Sequence, residues 1–146
     1  MLRIRIFFVI FGLANAGLIS YGLLALTLPG VLLESFSVNV YRFPADAALA
    51  VAYVSALYQL LGFLNLVLGV LGLGLLWRYR LSGQPWLAYF VMVFSILAYL
   101  GPVIFDNTVG NIGFFEMIEH ILFVAMVLSG MGLSRQIVRA GRGGFQ

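Results

Sequence analysis

Four apolar runs, each near or beyond the roughly 20 residues that carry a helix across a bilayer, fill most of this 146-residue chain. The runs cover about residues 4–28, 49–77, 86–105 and 114–133, so the connections are short and no room remains for a separate extramembrane domain. With 63% hydrophobic and only 9% charged residues, against roughly a quarter charged in a water-soluble domain, a soluble monomer is excluded. The chain therefore reads as a single all-α transmembrane domain.

The first run stops at Pro29-Gly30, a dipeptide that breaks a helix for backbone reasons. Its apolar core is longer than that of a signal peptide, and no A-x-A-type cleavage site precedes Pro29, so it is expected to stay as a membrane helix. A loop with Glu34, Arg42 and Pro44 follows, and Asp46 is placed in the first turn of the second helix. Gly101-Pro102 is read as a kink in the third span, because a stop there would leave a helix too short to cross. Asp106 to Gly113, rich in Asn and Gly, is expected to form the turn before the fourth span, and Ser134 to Gln146 a tail.

Every basic residue is an arginine. Arg3, Arg5, Arg78, Arg80, Arg135, Arg139 and Arg142 fall on one side of this layout and Arg42 on the other, which places both termini in the cytoplasm by the positive-inside rule. Short connections make sequential helices antiparallel neighbours, giving an up-down four-helix bundle, expected in a bacterial inner membrane. The arginines form short clusters and no continuous stripe, so they point to anionic lipid headgroups and away from nucleic acid. Trp77, Tyr79 and Trp86 fit an aromatic belt at the same membrane surface. Cysteine is absent, which removes disulfides and thiolate chemistry.

Two stripes of small and polar residues predict how the helices meet. Ser55, Tyr58, Gly62, Asn65, Gly69 and Gly72 recur at alternating steps of three and four, the spacing of a left-handed packing seam, and Gly12, Asn15, Ile19 and Gly22 form a matching stripe. Counting inward from Ile4 and Leu76 places Asn15 and Asn65 at one depth, about 16 Å in, and predicts an interhelical clasp between them.

Only one constellation has the residue types for chemistry. Glu116, Glu119 and His120 share one face of the fourth helix, and the cost of ionisable groups in hydrocarbon turns that face toward protein or water. Depth counting sets Tyr21 and Gln59 level with Glu116 and Tyr99 level with His120, below a loop containing Asp106. Three readings stay open. Glu116 stabilises its own helix start as the third residue after a Gly113 cap while His120 bonds Tyr99 or a carboxylate. His120 ligates a metal or, through one axial bond, a tetrapyrrole. The acids and the imidazole exchange protons in transport or act on a small lipid-soluble substrate. One histidine excludes an intrachain bis-histidine haem, and a di-iron site lacks its second Glu-x-x-His step. No serine has a nucleophile-elbow context, so no catalytic residue and no metal ligand set is assigned.

The four-span layout and the opening Phe11-Gly12-Leu13-Ala14-Asn15-Ala16-Gly17 are similar to the small DoxX-like bacterial membrane proteins. The resemblance covers most of the chain at the level of shape and implies a small four-span membrane protein, with no site residue carried over. Small loops and tight seams point to a non-enzymatic subunit packed against other integral-membrane subunits and membrane lipids, with a lipid, quinone or pigment as its candidate ligand. The alternative is a small membrane enzyme or proton-coupled carrier that uses the Glu116, Glu119 and His120 site.

Overall fold

The computed structural model describes residues 2–39, 41–45, 47–110 and 112–143, with the side chains of all these except Arg3, Val38, Asn39 and residues 134–143. Asp46 therefore lies outside the described residues, as do the side chains of Arg3, Arg135, Arg139 and Arg142. Among the described residues the fold is all helical: α1 (Leu2–Thr27), α2 (Pro29–Asn39), α3 (Ala48–Ser82), α4 (Pro85–Val109) and α5 (Phe114–Gly143). Four of these, all but α2, contain a stretch long and apolar enough to cross a membrane. The chain is a multi-pass integral membrane protein.

The helices run further than their apolar stretches. The 35 residues of α3 extend about 52 Å, past Arg78 and Arg80, because long arginine side chains reach the interface while their stems stay on the helix. It ends at Gly83, whose φ of 63° suits a residue without a Cβ, and Pro85 then opens α4. Likewise α4 continues through Pro102 to Val109 and ends at Gly110, with φ of 76°, so Asp106 belongs to a helix and not to the expected turn. Pro29 does end α1, but it opens the 11-residue α2 where a loop was expected. Proline is pre-set for the first helical position, and Leu32 gives α2 a buried anchor.

The packing order follows the chain. Helix α1 packs on α3 and α5, and α4 closes the ring by packing on α3 and α5; the α1–α3 interface is the most extensive. It is built on the two small-residue stripes in antiparallel register. A Cβ at Gly22 would stand 2.6 Å from the Gly62 carbonyl and 2.7 Å from the Leu66 nitrogen, and one at Gly69 would stand 2.7 Å from the Asn15 carbonyl. Glycine at these points lets two backbones touch, which supplies the dispersion that lipid does not provide through a hydrophobic drive. Gly12 makes only ordinary contact with Leu76.

This register overturns the Asn15–Asn65 clasp. Asn15 is fully buried opposite Gly72, where a Cβ would overlap its amide. Its Nδ2 donates to the Phe11 carbonyl at 2.7 Å and to Ser95 Oγ of α4 at 3.0 Å. Asn65 lies about two turns further along α3, half-buried, with no hydrogen bond to Asn15. Such a polar contact in lipid is worth about 0.6–2 kcal/mol, and here it ties α1 to α4.

The apolar core concentrates toward the arginine-bearing end, where Phe7, Phe11, Leu76, Leu87, Val91 and Leu133 are buried together. Tyr79 joins it, edge-on to Phe7 at 6.0 Å and stacked on Phe8 at 5.5 Å, so it is a core residue and not part of an interfacial belt. Trp77 and Trp86 remain exposed on the surface.

Candidate functional site

At the opposite end the bundle holds its acidic groups. Helix α5 is preceded by Gly113, whose carbonyl accepts the first helical bond from Met117 at 3.1 Å. Glu116, three residues on, reaches back so that its carboxylate accepts the Gly113 N–H at 3.1 Å, the glutamate half of a capping box. Glu116 is thus buried at the positive end of its own helix.

His120 follows one turn later, half-buried, with both ring nitrogens engaged. Asn107 Nδ2 lies 2.7 Å from His120 Nε2 and also donates to the Val103 carbonyl at 2.7 Å. Because that amide nitrogen can only donate, Nε2 accepts, and Nδ1–H donates to the Glu116 carbonyl at 2.6 Å. The two bonds select one neutral tautomer and one ring orientation. They also bear on axial ligation of a tetrapyrrole, which would have to displace Asn107 from Nε2. Among the described residues no group of three His, Asp or Glu side chains is placed to hold a metal ion.

The remaining members come from four helices. Asp106 is buried in the last turn of α4, and Glu119 is half-buried on α5. Tyr21 of α1 lies within electrostatic reach of Tyr58, Glu119, Glu116 and Asp106, and Tyr58 of α3 within reach of Glu116 and Asp106. Tyr99 of α4 is in reach of Glu119 but donates its hydroxyl to the Ala14 carbonyl at 2.7 Å, so Tyr99, one of the two partners open to His120 in the first reading, is engaged elsewhere. Gly17 leaves space for that hydroxyl, since a Cβ there would come within 3.1 Å of it.

Gln59 is exposed and turned away from this layer; its neighbour Tyr58 takes the inward place. One residue of helix rotation, about 100°, separates the two, and depth counting alone does not resolve it. Asp106 and Asn107, in a stretch whose Asn and Gly content predicts a turn, stand instead in the last turn of an α4 that continues through Pro102. An aromatic group covers Tyr58: Phe36 of α2 is edge-on to it at 6.5 Å and stacked on Phe43 at 6.1 Å, and Tyr41 is edge-on to Phe43 at 5.3 Å.

The layer is acidic in character. Apart from Tyr58 beside Tyr21, the groups acting electrostatically on Tyr21, Tyr58, Tyr99 and Glu119 are carboxylates; the described side chains of Arg5, Arg78 and Arg80 belong to the far end, and exposed Arg42 lies in the segment between α2 and α3 at this end. Carboxylates with tyrosine rings beside them can hold a proton or an organic cation, the cation drawn both by charge and by the aromatic faces. No family model matches the chain, and neither a curated protein nor a solved structure matches it.

Proposed function

We propose that this protein is a proton-coupled carrier whose acidic layer takes up protons and a small lipophilic cation in exchange. The observation that supports this most is the placement of Asp106, Glu116 and Glu119 at one end of the bundle interior, beside three tyrosines. Ionisable side chains inside membrane helices are costly and earn their place through ion or proton handling. Glu116 caps α5 and His120 is held by two bonds. Asp106, buried in the last turn of α4, and Glu119, half-buried on α5, are the carboxylates assigned to the exchange. Tyr21 and Tyr58 stand within electrostatic reach of these carboxylates, and Phe36, itself packed on Phe43, lies edge-on to Tyr58. The arginine-bearing end faces the cytoplasm in this reading, which puts the acidic layer on the outer side.

The test is uptake of tetraphenylphosphonium by proteoliposomes bearing a pH gradient. Uptake well above protein-free vesicles, abolished when the gradient is collapsed by an ionophore, is the expected result. Uptake equal to that of empty vesicles with the gradient intact would remove the proposal.

A further inference from the structure

At the end away from the acidic layer, α1 and α3 leave a groove of about 870 Å³ between them, lined by Arg5, Phe8 and Val9 of α1 and by Leu73, Gly74, Leu76, Trp77 and Arg80 of α3. Its walls are almost wholly apolar, and its two charged residues, Arg5 and Arg80, are exposed at one end. The antiparallel register brings Arg5 and Arg80 to about one level, Phe8, Val9, Leu76 and Trp77 next, and Leu73 with Gly74 deepest, about 10 Å along the helix from Arg80. The Arg80 guanidinium lies over the Trp77 ring at 5.6 Å, which restricts its position at the mouth. Gly74 is an open notch, for a Cβ there would meet nothing within 4 Å.

We infer that this groove is a binding site for one anionic glycerophospholipid, its phosphate between Arg5 and Arg80 and an acyl chain lying on Phe8, Leu73 and Gly74. Charge complementarity selects the occupant. Two guanidiniums with no carboxylate among the lining residues match a headgroup with net negative charge, such as phosphatidylglycerol. A choline headgroup brings its own cation to the same mouth and gains less. The apolar floor distinguishes a lipid from a free phosphate, which would gain nothing from it.

Native mass spectrometry of the detergent-solubilised protein, titrated with phosphatidylglycerol or phosphatidylcholine, tests the assignment. The wild-type protein retains one phosphatidylglycerol at least roughly tenfold more tightly than phosphatidylcholine. The double variant Arg5→Gln/Arg80→Gln loses that preference, and Arg78→Gln, outside the groove, keeps it. Gly74→Leu, whose Cβ meets nothing within 4 Å, intrudes on the acyl-chain end of the groove without altering a charge, and it weakens retention of both lipids while leaving the thermal midpoint in lipid-free detergent unchanged. Equal retention of the two lipids by the wild-type protein, or unaltered preference in the double variant, overturns the site.

Discussion

Leucine in place of Gly22 is expected to lower the stability of the protein in mild detergent by about 3 kcal/mol, or to prevent recovery of folded material. The reason is what surrounds that position. The nearest atoms to a Cβ at Gly22 are the Gly62 carbonyl and the Leu66 nitrogen and Cα, all of them backbone, so no side chain can rotate away and α1 must separate from α3. Separation also withdraws Asn15 from its place opposite Gly72 and strains its bond to Ser95. Leucine at Gly101, where a Cβ meets nothing within 4 Å, is the matched control and should cost nothing measurable. Thermal unfolding of the two variants side by side checks this; equal midpoints would mean that the α1–α3 contact is not the close backbone approach described above.

Glu119→Gln and Asp106→Asn are expected to reduce pH-driven cation uptake about 10- to 100-fold each, the worth of one charge-assisted contact, with membrane abundance and thermal midpoint close to wild type. Each amide keeps the size of the acid it replaces but can neither bind the exchanged proton nor carry the charge. Gln59→Leu, on the exposed face of the same turn as Tyr58, should leave uptake unchanged. If both acid variants lost abundance in step with uptake, the carboxylates would be structural and the carrier reading would fail.

The residues that meet were legible in the chain; their register was not. Both stripes of the α1–α3 seam are visible as spacing, and Gly22, Gly62, Asn15, Gly69 and Gly72 all make the contact. Depth measured from the ends of the apolar runs puts Ile4 and Leu76 at one level. Arginine can ride beyond the hydrocarbon on a continuing helix, so α3 runs on to Ser82 and Gly12, not Ile4, comes opposite Leu76. The offset is about two turns, enough to replace Asn65 with Gly72 as the neighbour of Asn15.

Glu116, Glu119 and His120 stood out because charged groups are scarce in a membrane helix. Asp106 and Asn107 did not, since their neighbourhood of Asn and Gly reads as a turn, and only the helix continuing past Pro102 turns Asp106 inward. Helix α2 was hidden for a related reason: proline ends one helix and begins the next with the same ring.

In the proposed exchange acidic groups trade protons for a cation, and the most direct measurement is of those protons. Tetraphenylphosphonium is added to the purified protein in weakly buffered detergent solution, and the pH change is recorded against the cation bound. Binding that releases about one proton per cation at the pH where uptake is fastest, with the release lost in the Asp106→Asn/Glu119→Gln double variant, is the expected result. Binding with no proton release at any pH that supports uptake, or release unaltered in the double variant, would contradict it.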